Sequence, residues 1–376
     1  MATRDAEETT QKLAQLRALL EEHRAPAVVL GRVANFAWAT GGGRSFVNVA
    51  TDFGAAWAVV GRAGAWVVAS NIEAQRLAEE EVDPATWEPV AYAWWEPEGA
   101  IEAVRRLTGA EPSALLSDGA LPGARDVSRD LARLRQRLGR AEVRRAQALG
   151  RDLAEALEAT CRAAQPGETE WAVAGRLAAA CCARGIVPVV HLVAADERAC
   201  RRHPLPTDRP VARYALVAVS GMRGGLVASA TRLVHWGPVP PELLRRWRAA
   251  AQVEAELLAA TRPGALARDL FALAQDAYAR AGFPDEWRHH HQGGLAGYAS
   301  REWRATPTGT EVLAADQLVA WNPTVAGAKS EDTVRTREDD LPEVLTRTGS
   351  WPEEVFVARS GARIPRPAIL ERQGTG

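Results

Sequence analysis

The chain has 376 residues, of which 47% are hydrophobic and 25% charged, a composition typical of soluble globular proteins and long enough for two domains. Its formal net charge of −1 does not suggest a polyanionic partner such as nucleic acid. No apolar run reaches the roughly 18 residues of a membrane span, and the amino terminus lacks an apolar signal core. The four cysteines form no CxxC pair, which argues against a disulfide framework or a zinc knuckle. The sequence therefore predicts a cytoplasmic protein that binds neither nucleic acid nor membranes.

The first 125 residues alternate between helical and strand patterns. Leucines at helical spacing predict an amphipathic helix over residues 8–23. Three short apolar runs broken by glycine, APAVVLG, GAAWAVVG and GAWVVASN, predict buried strands. Residues 72–82 and 97–109 predict helices between or after those strands. This alternation indicates a small α/β domain over residues 1–125.

A charged helical connector over residues 126–140 leads into a second domain, predicted over residues 141–376, which contains an internal duplication. The stretch QPGETEWAVAGRLAAACCARG begins at Gln165, and RPGALARDLFALAQDAYARAG begins at Arg262, 97 residues later. In each copy a Pro-Gly turn opens an amphipathic helix, and a glycine 19 residues after the proline ends it. A two-copy domain of this kind tends to place its site between the halves.

Three consecutive histidines, His289 to His291, precede paired glycines in the run WRHHHQGG. Alternate side chains of an extended segment share a face, so we expect His289 and His291 to face one way and His290 to face solvent. Three roles stay open for this run: structural hydrogen bonding, a mononuclear metal site with Glu331, or acid–base chemistry. No GxGxxG or GxxxxGK motif indicates a nucleotide.

Motifs along the whole chain resemble those of the creatinase, aminopeptidase P and methionine aminopeptidase superfamily. In chain order they are NFAWATGGGRSFVNV, QPGETE, HPLPTDRPV, GGLVASATR, HQGG, AWNPTVAG and KSEDT. The resemblance implies an α+β protein in which a pita-bread catalytic domain follows a smaller α/β, creatinase-like N-terminal domain.

The metallopeptidases of that superfamily hold two metal ions with two aspartates, one histidine and two glutamates. The resemblance places these ligands at Ala218, Ser229, His291 (or Gln292 in the neighbouring register), Asn322 and Glu331. Three of the five positions have lost their carboxylates. One histidine and one glutamate do not hold a two-metal cluster, so we expect neither a bound metal nor another cofactor.

Creatinase is a metal-free member of the superfamily in which a histidine is the acid–base catalyst, and the motif HPLPTDRPV places that histidine at His203. The expected catalytic residues are therefore His203, His291 and Glu331. Arginine and histidine around the lost carboxylates predict a positive pocket suited to an anionic group of a small-molecule substrate. The residues expected to contact this substrate are Arg202, His289, Ser229, Arg232, Tyr298, Asn322, Lys329 and Arg44.

Glu331 needs a cationic partner if it is buried without a metal, because an unpaired buried carboxylate is costly. Lys329, two residues earlier on the same predicted strand, faces the same way and is one candidate. Protonated His291 is the other, since an ion pair with Glu331 favours the charged imidazole.

These residues predict a metal-independent enzyme that acts at a C–N bond of a small amino-acid-like, guanidino or amide substrate. The reaction is hydrolysis, or elimination or cyclisation with an anionic leaving group, and the second form suits specialised metabolite biosynthesis. Two alternatives stay open: a non-catalytic protein that binds a small molecule or a protein, and a residual mononuclear metallopeptidase. Because the creatinase branch is homodimeric, we expect a homodimer in which Arg44, in the loop GGGRSF, approaches the neighbouring subunit's pocket.

Overall fold

The structure, a computed structural model, describes residues 5–373, which form two compact units. The first unit ends at Ala141 and takes in Gly224–Leu226, and the second consists of Glu142–Arg223 and the residues from Val227 onward. Both units combine helices with sheets, as the α+β fold class requires. None of the helices in residues 5–373 has both the length and the apolar character needed to cross a membrane.

The first unit contains one six-stranded sheet, in the order β4-β3-β2-β1-β5-β6. The elements are α1 (Ala6–Glu22), β1 (Ala27–Arg32), α2 (Val33–Ala39), β2 (Phe53–Gly61), β3 (Ala65–Ser70), α3 (Ala74–Arg76), a π-helical turn (Leu77–Glu81), β4 (Glu88–Tyr92), α4 (Gly99–Thr108), a 3-10 turn (Pro112–Ala114), β5 (Leu116–Ser117), β6 (Arg125–Asp126) and α5 (Ser128–Leu134). The three apolar runs of the sequence form β1, β2 and β3, as predicted. Val28, Val29 and Leu30 of β1 are fully buried because β1 lies inside the sheet, between β2 and β5.

The second unit contains a four-stranded sheet, in the order β19-β9-β8-β7, and a five-stranded sheet, in the order β11-β10-β12-β15-β16. The elements are α6 (Arg140–Ala163), α7 (Glu170–Cys182), β7 (Val187–Ala195), a 3-10 turn (Asp196–Cys200), β8 (Tyr214–Arg223), β9 (Leu226–Trp236), α8 (Pro241–Ala260), α9 (Ala267–Arg280), a 3-10 turn (Glu286–His289), β10 (Gly293–Ala296), β11 (Trp303–Arg304), β12 (Leu318–Trp321), β13 (Thr324–Val325), β14 (Ala328–Lys329), β15 (Asp332–Arg335), β16 (Glu343–Val344), β17 (Glu353–Val357), β18 (Arg363–Pro367) and β19 (Leu370–Arg372). The large buried core of this unit includes residues of β8, α8, α9 and β12.

The two copies of the sequence repeat have the same local structure. Helices α7 and α9 each follow a Pro-Gly turn whose glycine has a positive φ, 92° at Gly167 and 84° at Gly264. Each helix is followed by a second glycine of this kind, with φ of 65° at Gly185 and 83° at Gly282. The left-handed conformation is strained for other residues, so these glycines fix where both helices begin and end.

Candidate active site

The candidate site lies in the second unit, where three loop or strand-end segments bring charged and imidazole side chains together. His203 follows the 3-10 turn 196–200, and His290 and His291 precede β10. Glu331 lies between β14 and β15.

The glycines after the histidine run hold it against the five-stranded sheet. Gly293 has a φ of 101°, and a Cβ on this residue would lie 2.1 Å from the carbonyl oxygen of Ala320 on β12. A Cβ on Gly294 would lie 2.3 Å from the carbonyl oxygen of Trp303 on β11. Side chains at either position would push the neighbouring strands away, so only glycine lets β10 pair with both. This pairing fixes the backbone that carries His290 and His291.

His203, His290 and His291 form one cluster, the histidine cluster. The Nε2 atoms of His203 and His290 are 3.1 Å apart. One ring nitrogen from each of the three imidazoles lies within 4.8 Å of the others. The ring centroids of His290 and His291 are 4.6 Å apart. His203 is exposed, His291 half-buried and His290 buried, so the cluster opens to solvent at His203.

The structure corrects the expected orientation of the histidine run. His289 is exposed, and His290, expected to face solvent, is the buried member of the cluster. The physical reason is that His289 ends a 3-10 turn and β10 begins only at Gly293. Strand alternation therefore does not apply to residues 289–291, and His289 is not in a position to contact a substrate beside His203.

His290 and His291, the more buried imidazoles, are weak bases in this environment. Burial lowers the pKa of His290 to about 2, and the positive charge of Lys329 acts in the same direction. Burial, followed by Arg301, lowers the pKa of His291 to about 4. Burial and Lys329 also lower the pKa of the more exposed His203. Burial and the neighbouring cations therefore favour neutral His291 at neutral pH, so the expected ion pair of protonated His291 with Glu331 is wrong.

Glu331 takes its cationic partners from lysine and arginine. Its Oε2 lies 2.7 Å from Nζ of Lys329 and accepts a 2.7 Å hydrogen bond from the Thr231 hydroxyl. Its Oε1 lies 3.4 Å from a guanidinium nitrogen of Arg301. Burial opposes ionisation of Glu331, but Lys329 and Arg301 outweigh it, and the pKa of the carboxyl is lowered. The expected Lys329 partnership is therefore confirmed, and protonated His291 is not needed.

A small recess of about 10 Å³, room for roughly one water molecule, adjoins Ala218 and is bordered by Arg202 and Lys329. A guanidinium nitrogen of Arg202 lies 2.6 Å from a carboxylate oxygen of Glu286, and another donates to the hydroxyl of Thr324 at 3.0 Å. The same hydroxyl lies 3.4 Å from Nδ1 of His290. The structure therefore brings Arg202 to the edge of the histidine cluster.

Three expected substrate contacts are occupied by other partners. Arg232 is buried, with guanidinium nitrogens 3.0 Å from Asp332 and 3.4 Å from Glu158. The hydroxyl of Ser229 lies 2.8 Å from that of Ser220. These two assignments are corrected because both side chains are engaged inside the domain.

Tyr298 is the third corrected assignment. Its hydroxyl donates to a carboxylate oxygen of Glu142 at 2.6 Å, and Arg145 lies 3.3 Å from the same hydroxyl. The ring is buried, so Tyr298 joins β10 to the start of α6. This is a packing role, and the family motif around HQGG gave no signal that distinguished it from a ligand role.

Buried polar atoms remain without partners beside the cluster. Within residues 5–373, Nδ1 of His291, Nε of Arg301 and Oδ1 of Asn322 have no hydrogen-bond partner in the protein. Such atoms are costly unless a ligand or water satisfies them. Asn322 was expected in the site. The sequence gave only a weak signal for Arg301, one arginine among many near the family motifs.

Arg44 belongs to the first unit. One guanidinium nitrogen lies 2.6 Å from a carboxylate oxygen of Glu81, and the backbone amide donates to the other carboxylate oxygen at 2.9 Å. The side chain is 58% exposed, so the loop that carries it offers a guanidinium to solvent.

Comparison with known proteins gives the family. The model of metallopeptidase family M24 matches residues 141–341, more than half of the chain. The protein belongs to metallopeptidase family M24. No curated protein sequence matches the chain. The evidence for membership is therefore the family match and the fold.

Solved structures of M24-like peptidases have the same fold as this M24 protein. The prolidase of Pyrococcus horikoshii OT3 is 16% identical, with a TM-score of 0.76 over 90% of this chain and 98% of the prolidase. The Xaa-Pro dipeptidase of Bacillus anthracis is 16% identical, with a TM-score of 0.75 over 93% and 99% of the two chains. The dipeptidase PepE of Mycobacterium ulcerans is 20% identical, with a TM-score of 0.74 over 91% and 96%. The pita-bread fold and its N-terminal domain are thus shared.

The donor set of this M24 protein does not fit the two-metal centre of the metallopeptidases. Ala218 offers a methyl group, the hydroxyl of Ser229 is bonded to Ser220, and Asn322 is an amide. The retained carboxylate, Glu331, is bound by Lys329 and Thr231. Two divalent ions need several carboxylates for charge balance, and these residues supply one.

Proposed function

We propose that this M24 protein is an enzyme that acts, without a two-metal centre, at a C–N bond of a small amino-acid-like, guanidino or amide substrate bearing an anionic group. The observation that carries the proposal is the state of Glu331. Its oxygens are bound by Lys329, Arg301 and Thr231. Lys329 and Arg301 therefore supply positive charge at a carboxylate that binds metal ions in the metallopeptidases. Two cations for one carboxylate leave the site with a net positive charge.

His203 is the acid–base residue of the proposal. It is the exposed imidazole of the histidine cluster, and its Nε2 lies 3.1 Å from that of His290. This contact orients the His203 ring, because His290 is itself buried and lies 3.4 Å from the hydroxyl of Thr324. A substrate that enters from solvent meets His203 first.

The remaining groups bind the substrate. Arg202 and Lys329 lie beside the histidine cluster, and their positive charges suit a carboxylate, sulfate or phosphate group of the substrate. The unpartnered Oδ1 of Asn322 accepts a hydrogen bond, which suits an amino or amide N–H of the substrate.

Two balanced reactions use these groups in the same roles. In hydrolysis, His203 takes a proton from water, the oxygen attacks the carbon, and the same proton passes to the departing nitrogen. In cyclisation, His203 takes a proton from a substrate amine, the nitrogen attacks a carbon, and a sulfate or phosphate leaves with the bonding electron pair. Arg202 and Lys329 then stabilise the departing anion.

The test is a substrate panel assayed in the presence of a chelator. It contains Xaa-Pro dipeptides, N-acyl and N-carbamoyl amino acids, guanidino acids, and amino acids with a sulfate or phosphate ester, with products followed by mass. We expect turnover of at least one class in EDTA, lost in His203→Gln. Turnover that appears only after zinc or manganese is added would establish the metallopeptidase alternative instead. Ligand binding with no turnover would establish a non-catalytic binder.

A further inference from the structure

The histidine cluster has the donor geometry of a mononuclear metal site that differs in kind from the family's two-metal centre. One nitrogen from each of His203, His290 and His291 lies within 4.8 Å of the others. A zinc ion bound at about 2.0–2.1 Å from each imidazole nitrogen requires nitrogens roughly 3.3–3.4 Å apart at the corners of a tetrahedron. The 3.1 Å between Nε2 of His203 and of His290 is already close to that spacing.

The surroundings of the cluster also suit metal ligation. When Nε2 of His290 faces the ion, its Nδ1 lies 3.4 Å from the Thr324 hydroxyl, in the place of the partner that usually orients a ligating imidazole. Nδ1 of His291 has no partner among residues 5–373. The exposed His203 leaves one side of the cluster open, which gives a fourth ligand access from solvent.

We propose that His203, His290 and His291 bind a single zinc-like cation, and that the bound ion inhibits the enzyme. All three donors are neutral nitrogens, which zinc, cobalt and nickel accept and which magnesium and manganese bind poorly. The inhibitory part rests on the proposed function, because the ion takes up the lone pair with which His203 accepts a proton. The binding part rests on the geometry alone.

Neighbouring charges determine how tightly this site binds. Lys329 and Arg301 repel a cation and share only one carboxylate, Glu331, and Arg304 adds a further positive charge near His203 and His291. The site therefore binds zinc more weakly than structural sites made of thiolates, and it favours an anion as the fourth ligand. Because binding is weak, the zinc ion binds reversibly as an inhibitor rather than permanently as a cofactor.

Calorimetry tests the binding part. Full-length protein is freed of metal with a chelator, dialysed and titrated with zinc chloride, alongside His290→Ala, His291→Ala and the control His289→Ala. We expect one zinc per chain in the wild type and in His289→Ala, and at least a 10-fold weaker affinity in the other two variants. His289 is the matched control because it is the exposed neighbour outside the cluster. Circular dichroism checks that every variant is folded.

Cobalt and magnesium make the test sharper. Cobalt(II) should give the intense visible absorption of a tetrahedral nitrogen site in the wild type and in His289→Ala, and magnesium should give no heat of binding. Equal zinc affinity in all four proteins, absence of zinc binding in the wild type, or magnesium binding with equal affinity would overturn the site. These measurements need no substrate, so they test the metal site independently of the proposed function.

The inhibitory part is tested on any substrate turned over in EDTA. Zinc should reduce the rate with the same midpoint as its binding, and EDTA should restore it. Activation by zinc would overturn the inhibitory role and, with it, the metal-free mechanism, even if the calorimetric site were present.

Discussion

Two clusters of buried charge lie on opposite sides of the segment Lys329–Asp332. On one side, Lys329 and Arg301 share the carboxylate of Glu331 beside the histidine cluster. On the other side, Asp332 contacts Arg232 and Arg366, and Ser330 donates a hydrogen bond to Glu254 on α8. Side chains alternate along the extended segment, so neighbouring residues serve two different sets of partners.

The two sides differ in their balance of charge. The first has two cations for one carboxylate, and the pKa of Glu331 is lowered although burial opposes ionisation. The second joins two guanidiniums, Arg232 and Arg366, to three carboxyls, those of Glu158, Glu254 and Asp332. The exposed Arg162 also lies 3.6 Å from Glu158, at the edge of this second cluster.

The pKa of Glu254 shows the effect of that balance. Burial, with a smaller contribution from Asp332, raises it to about 7 in spite of Arg366. Glu331 and Glu254 are both buried, yet their pKa values shift in opposite directions. The number of neighbouring cations decides the direction of each shift. A buried cluster with surplus cations is suited to bind an anionic ligand. In a buried cluster with surplus carboxyls the cations are already paired, so that cluster stabilises the packing of its helices and strands.

The largest expected effect is on the site side. His203→Gln should lower turnover of the true substrate by about 10²–10⁴-fold, the usual contribution of an acid–base group. The free energy of unfolding should stay within about 0.5 kcal/mol of the wild type, because His203 is exposed. Steady-state kinetics and urea denaturation measure the two quantities. A fall in activity of less than about 10-fold would remove His203 from the mechanism.

Arg366→Ala is the corresponding test of the other side. Arg366 is fully buried between Glu254 and Asp332, so its loss leaves both carboxyls without their closest cation. We expect a loss of about 3–5 kcal/mol in the free energy of unfolding. The control is Arg363→Ala, an exposed arginine of the same strand, with an expected change within about 0.5 kcal/mol. Equal effects of the two substitutions would contradict a structural role for the cluster.

A smaller effect is expected from pH. The folded-state pKa of Glu254 is raised to about 7 from an ordinary 4.5, with Arg366 and Asp332 as its charged neighbours and Ser330 as a hydrogen-bond donor. The protonated form favours the folded state, so its contribution is complete below pH 4.5 and is lost as pH rises through about 7. The slope is at most about 1.4 kcal/mol per pH unit.

Comparison with Glu254→Gln isolates this contribution, because the amide does not titrate. The free energy of unfolding of both proteins is measured by urea denaturation at pH 5, 6, 7 and 8. The wild type should lose stability relative to the variant as pH rises to about 7, and the difference should then stay constant. A difference independent of pH would show that Glu254 is ionised throughout.

A small effect on stability is expected in the first unit. Arg44→Ala removes a half-exposed ion pair with Glu81, and we expect less than about 1 kcal/mol. If the chain is a homodimer and the loop GGGRSF reaches the partner's pocket, the same variant should raise KM while kcat changes little. Light scattering measures the oligomeric state. A monomer at all concentrations would remove this role.

The sequence predicted much of the fold because its patterns are local. The apolar runs of β1, β2 and β3 and the Pro-Gly turns before α7 and α9 depend on neighbouring residues, and the structure has them where expected. Helix α5 ends at Leu134 and α6 begins at Arg140, so the charged stretch after residue 125 is interrupted, a detail that helical composition alone did not reveal.

The site was harder to predict because it depends on contacts between distant residues. His203 and His290 are separated by 87 positions, and the choice between His289 and His290 depended on a 3-10 turn that alternation rules do not anticipate. Arg232 lies in a family motif, and its charge is consistent with a positive pocket, so the sequence placed it among the substrate contacts. Only its contacts with Glu158 and Asp332 show that it belongs to the structural cluster.

The close packing of Gly293 and Gly294 against neighbouring strands has a consequence for binding entropy. It anchors the backbone next to His290 and His291, so two of the three imidazoles are preorganised before a ligand arrives. His203, on an exposed loop, is the member that must lose rotamer freedom, at roughly 0.5–1.5 kcal/mol for one side chain. Ligands that bridge the cluster thus gain most from rigidifying the loop that carries His203, and changes in that loop should tune affinity without altering the donors themselves.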